Sequence, residues 1–164
     1  MATDPPPTTP TAAPAAAPEG ATLALSLRDG YRFEVTFEPP GMPALLTDLG
    51  PPLGAHHGPN PERLLAAAVA NCLAASLLFA LRKFGHEPGT LRARATLHMV
   101  RNSQGRLRVG RIEVDLLLGV AAAALPRLDR ALAQFEAFCS VTESVRAAFP
   151  VEVQVFDGDG QRVR

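Results

Sequence analysis

Two short alternating runs open the ordered part of the sequence. Leu23, Leu25 and Leu27 alternate with small or polar positions, and Arg28-Asp29-Gly30 follows. Tyr31, Phe33, Val35 and Phe37 then alternate with Arg32, Glu34, Thr36 and Glu38. Period-2 runs about an Asp-Gly predict a β-hairpin. Residues 39–59 are rich in Pro and Gly and predict mostly loop, with one short strand within 44–49. The period changes at Asn60. Asn60 is a good N-cap, Pro61 suits the first helical position, and Glu62 complements the positive end of the helix dipole. Positions 64–81 are almost all Ala, Leu, Val or Phe, without Gly, Pro or charge. Such a helix, apolar nearly all round, is expected to run through the middle of a domain or dimer. Gly85 reads as its C′ residue.

Two longer extended runs, 91–101 and 106–118, flank an Asn102-Ser103-Gln104-Gly105 turn. Pro126 opens a second helix over 128–138, with Leu128, Leu132 and Phe135 on one stripe. Cys139 ends it. Ser140-Val141-Thr142-Glu143 is a capping-box pattern for a short third helix reaching Ala148. Pro150 stops that helix, and Val151, Val153 and Val155 mark a last strand. Hairpin, long helix, hairpin, helices and strand together predict an α+β domain.

Composition sets the outer limits. The first 20 of 164 residues are mostly Pro, Ala and Thr and read as a disordered tail, leaving residues 21–164 as one domain. Formal net charge is zero, and Lys and Arg are scattered, so nothing points to nucleic acid. The apolar helix reads as too short, and too closely followed by Arg82 and Lys83, for a membrane span. Two cysteines, 67 positions apart and without a secretory signal ahead of them, predict a cytoplasmic protein with free thiols.

Those thiols are the candidate chemistry. Cys72 sits mid-helix among alanines, where a cysteine can be an inert small hydrophobe or a thiol open to a close-approaching ligand. Cys139 immediately precedes a capped helix, where unpaired N–H groups favour thiolate; its bland alternative is a hydrophobic staple. His56, His57, His86 and His98 do not converge in sequence, and no Cys-x-x-Cys or His-x-x-x-His spacing suggests a metal. Neither a phosphate loop nor a nucleophile elbow is present.

Set side by side, the two cysteine segments resemble a known family. Gly58-Pro59-Asn60-Pro61-Glu62-Arg63-Leu64 running to Cys72 is similar to the Asn-Pro-Glu helix of the OsmC/Ohr family. Phe138-Cys139-Ser140-Val141-Thr142, followed by a Val-rich strand, is similar to that family's second-cysteine segment, although relatives often carry Pro where Ser140 stands. The resemblance implies antiparallel sheets around a long buried central helix, in an intertwined homodimer with sites at the subunit interface. It also implies that Cys72 is the peroxidatic thiol, that Cys139 resolves its sulfenic acid as a disulfide, and that Glu62 is the family glutamate. Arg28, in Arg28-Asp29-Gly30, matches the arginine that the Ohr branch sets beside its reactive thiol; Arg32 is the alternative.

Helix rise separates Glu62 from Cys72 by about 15 Å, so Arg28 bridges the gap or Glu62 serves the partner's site. The expected activity is reduction of organic hydroperoxides, with no metal or prosthetic group and with electrons from an external dithiol or lipoyl protein. The rival readings are a non-catalytic dimeric small-ligand-binding protein of the same fold and a structural module with inert thiols.

Overall fold

The computed structural model describes residues 20–164; the tail expected over residues 1–20 lies, apart from Gly20, outside them. The predicted first hairpin is present. β1 (Leu23–Asp29) and β2 (Arg32–Phe37) pair antiparallel from Leu23↔Phe37 to Asp29↔Arg32. Gly30 makes the turn at φ +51°, a backbone setting open to a residue without Cβ. β3 (Leu45–Thr47) joins the far side of β2 to complete a first sheet in the order β1-β2-β3. These strands lie on one another and make no extensive contact with the helices or with the other strands. Leu23, Leu25 and Leu27 are accordingly exposed, Leu25 at 58%.

Asp48 folds the Pro/Gly-rich loop back toward the long helix. Its buried carboxylate accepts the N–H groups of Ala55 at 3.0 Å and His57 at 3.1 Å, and these bonds hold its pKa below the usual carboxylate range. Asn60 then caps α1 (Pro61–Lys83), its Oδ1 accepting the N–H of Arg63 at 3.0 Å. Gly85, at φ +77°, follows the cap residue Phe84 as the sequence predicts.

α1 is not buried all round within one chain. Ala66, Val69, Ala70, Leu73, Leu77, Ala80 and Leu81 form its buried face at helical spacing. Ala67, Ala68, Asn71, Ala75 and Phe79 remain exposed, Phe79 at 61%. The stripe is uncovered because the first sheet does not pack across it. The length argument against a membrane span also needs correcting. At 23 residues, with an 18-residue stretch of mean hydropathy 2.3, α1 is long and apolar enough to cross a bilayer, but its buried face is built into the core with the second sheet.

That second sheet contains β4 (Arg92–Arg101), β5 (Leu107–Leu117) and β6 (Val151–Phe156). β4 and β5 are antiparallel. β6 departs from the antiparallel expectation and runs parallel to β5, from Ile112↔Val151 to Leu117↔Phe156. The connection explains the direction. A 3₁₀ turn (Ala122–Ala124), α2 (Leu128–Gln134), a second 3₁₀ turn (Phe135–Phe138) and α3 (Ser140–Arg146) carry the chain back before β6 begins. Ile112, Val114, Leu116 and Val155 from this sheet meet the buried face of α1 and Phe135 in one core. Past β6, the Asp157 carboxylate accepts N–H groups from Ala122, Asp159 and Gln161, tying the chain end to the start of the crossover.

The predicted helix over 128–138 is thus two pieces, α2 tightening into the second 3₁₀ turn. The capping box is shifted as well. Cys139, not Ser140, occupies the N-cap of α3, with extended backbone at φ −84° and ψ 91°. Ser140 is the first helical residue, which frees its hydroxyl from capping duty.

Candidate functional site

The crossover places Cys139 against the middle of α1, opposite Cys72. Both are free thiols. Cys139 is fully buried, whereas Cys72 is half-buried on the border between the covered and uncovered faces of α1. The Cys139 thiol, the Ser140 hydroxyl and the backbone N–H groups of Val141 and Thr142 gather near the Cys72 sulfur, where they favour its anion.

These contacts set the two thiols apart. Burial pushes Cys72 up, but donation from Cys139, Val141, Ser140 and Thr142 outweighs it and brings the thiol below its ordinary value. Burial pushes Cys139 up, its bond to Cys72 adds to that, and donation from Thr142 only partly offsets both. A pair of titrating groups driven in opposite directions divides the work between one anion and one neutral acid. Of the two, Cys72 is the thiol favoured as its anion and Cys139 the one that keeps its proton.

Glu62 and Arg28 are placed elsewhere in the single chain. Glu62 lies in the first turn of α1, and its buried Oε2 has no hydrogen-bond partner among the described residues. It opens into a cleft of about 520 Å³ between the start of α1 and β4, shared with Asn60, Arg63, Arg94 and Leu97. Arg28 is exposed near the tip of the first hairpin and is ion-paired with Glu34. Arg32 pairs with Asp29 in the same hairpin. Neither arginine is among the groups that shift Cys72 within one chain.

Of the four histidines, His57 faces Asp48 at 3.5 Å and His98 faces Glu113 at 3.1 Å. Among the described residues, no three His, Cys, Asp or Glu side chains gather as a metal site. Ser140 and Thr142 are the site residues that the sequence reading did not single out. Their signal was present as hydroxyls one and three positions after a cysteine, but the capping-box pattern claimed Ser140 first.

A family model described as OsmC-like protein matches residues 54–154, the span from the loop before α1 to β6. No curated protein matches the chain. Solved structures with a similar fold include an OsmC-like protein of unknown function from Vibrio cholerae. It has a TM-score of 0.70 at 15% identity, over 84% of this chain and 99% of that one. The organic hydroperoxide resistance protein OsmC from Legionella pneumophila has a TM-score of 0.66 at 15% identity, over 85% and 98%. The organic hydroperoxide resistance protein OhrB of Bacillus subtilis has a TM-score of 0.58 at 20% identity, over 84% and 98%. At these identities the likeness is one of fold, and its shared architecture is two small sheets about a long helix. With the family model spanning most of the described chain, the protein is a member of the OsmC-like family.

Proposed function

We propose that the chain is a cytoplasmic, thiol-dependent peroxidase that reduces organic hydroperoxides. The observation that carries this reading is the pair of facing thiols that act on one another in opposite directions, Cys72 favouring its thiolate and Cys139 keeping its proton. The Cys72 thiolate attacks the O–O bond, an alcohol departs, and Cys72 becomes a sulfenic acid. Cys139 then attacks that sulfur, releasing water and closing a disulfide, which an external dithiol or lipoyl protein reduces. The apolar residues lining α1 around Cys72 favour a hydroperoxide with an organic tail over hydrogen peroxide.

The same reading assigns Arg28 and Glu62 to a homodimer. The hairpin bearing Arg28 finds little to pack on in its own chain, while α1 carries an apolar stripe without cover. Glu62 Oε2 is buried without a donor, and about 15 Å of helix separates it from the Cys72 of its own chain. A second copy that laid its hairpin over α1 would answer all of these at once. Its Arg28 could then pair with Glu62, and Glu62 would serve the thiols of the other subunit.

A second reading, a non-catalytic small-ligand-binding protein, draws on the cleft beside Glu62, whose size lies within the range of ligand pockets. Thiol counting by mass spectrometry, before and after one equivalent of an organic hydroperoxide, separates the two. Loss of both thiols with a Cys72–Cys139 linked peptide, abolished in Cys72→Ser, is expected of the peroxidase. Two thiols unchanged by excess peroxide would remove it and leave the binding protein.

A further inference from the structure

Cys139 has a partner besides Cys72. Its Sγ lies 2.9 Å from Thr142 Oγ1, and both side chains are wholly shut off from solvent. A buried hydroxyl needs a hydrogen-bond partner, and here that partner is a sulfur on the preceding turn. One S–H proton cannot point at Cys72 and Thr142 together. When it points at Cys72, the Thr142 O–H is free to turn and donate to Cys139, and the three groups form a single line from hydroxyl to thiol to thiolate.

We propose, resting on the two-cysteine reading above, that Thr142 is a positioning residue for disulfide closure: its hydroxyl holds the Cys139 sulfur against Cys72 and donates to the thiolate that Cys139 becomes as it attacks. In that step the Cys139 sulfur bonds to the Cys72 sulfur and the S–O bond of the sulfenic acid breaks. The Cys139 proton leaves with the hydroxide as water. A hydroxyl suits both ends of the step, accepting from a thiol and, after rotation, donating to a thiolate. Valine would keep the shape of threonine and supply neither.

The test needs no peroxide. With 4,4′-dithiodipyridine, Cys72 attacks first, releasing one thiopyridone and leaving a pyridyl mixed disulfide. Cys139 then attacks the Cys72 sulfur, and a second thiopyridone departs with the proton. Thr142→Val is expected to slow the second phase by about tenfold relative to the first and to displace the pH profile of the second phase upward. Thr142→Ser is expected to restore both. A purely structural role would slow both phases together without displacing the profile. A valine variant whose second phase matches the wild type from about pH 6 to about pH 9 overturns the proposal. Thr142→Ala supplies the same comparison if the valine variant fails to fold. A parallel arm with an organic hydroperoxide separates the two levels: no sulfenic acid at Cys72 in the wild-type chain removes the peroxidase reading, while the two-phase exchange still judges Thr142.

Discussion

Cys72 and Cys139 face one another and are displaced in opposite directions, the first toward a stronger acid and the second toward a weaker one. Each thiol accounts for part of the other's displacement, so removing one should alter the other. Alkylation of Cys72 by iodoacetamide, followed against pH, is expected to reach half-maximal rate below the ordinary thiol value of about 8.5. In Cys139→Ala the donor is gone, and the midpoint should move up. Ser140→Ala should move it the same way by a smaller step. An unmoved midpoint in Cys139→Ala would mean that the N–H groups of α3 alone hold the thiolate.

The uncovered stripe on α1 and the exposed face of β1 lead to a prediction about assembly. In size-exclusion chromatography with light scattering, the wild-type chain is expected at about twice its monomer mass of 17.3 kDa. Leu25→Glu and Phe79→Glu each place a charge on one of these surfaces, and each should shift the population toward monomer or into aggregates. A wild-type chain that runs as a stable monomer at micromolar concentration would falsify the dimer.

The start of α1 depends on one side chain. Asn60→Ala removes the acceptor for the Arg63 N–H and should lower stability by about 1 kcal/mol, read as a drop in the urea midpoint with the slope unchanged. Asn60→Asp keeps the acceptor and should stay near wild type. A loss of equal size in both variants would place the effect in the loop rather than in the cap.

Asp157 offers a prediction with a sign in pH. The Ala122 and Gln161 N–H groups, then Asp159, bring its folded pKa below the ordinary 3.8, against a smaller opposing effect of burial. A carboxyl lowered in this way stabilises the fold above its unfolded pKa, and the contribution is lost as pH falls through the folded value. The melting temperature of Asp157→Asn should therefore lie below wild type at pH 7, and the gap should close as the pH drops below 3.8. A gap that stays constant to pH 2 would show that shape, not charge, makes the clamp.

Much of this architecture is legible in the sequence because local physics fixes it. Alternation at Leu23, Leu25 and Leu27 and at Phe33, Val35 and Phe37 marks the first hairpin, Asn60-Pro61-Glu62 starts α1, and Gly85 stops it. What escapes is relational. Alternation gives β6 its two faces but carries no sign of direction, so the parallel pairing with β5 becomes visible only with the crossover. Uniform apolarity in α1 says that both faces want cover, not that one chain supplies half of it. The hydroxyl of Ser140 reads as a cap because pattern rules consider neighbours within a turn. The sulfur it acts on stands 68 positions earlier in the chain. The Cys72–Cys139 contact lies equally far beyond local rules, and only the family resemblance pointed to it.

Cys72 precedes β4, and Cys139 follows both β5 and α2. A bond between these sulfurs would therefore close a covalent ring of chain around the whole β4–β5 hairpin, hooping the helix to the segment that crosses back over it. With 67 positions between the cysteines, the freedom such a ring removes from the unfolded chain corresponds to about 4 kcal/mol. Each turnover would then tighten the molecule and each reduction slacken it, so the spent form would resist heat and proteases better than the form ready to react.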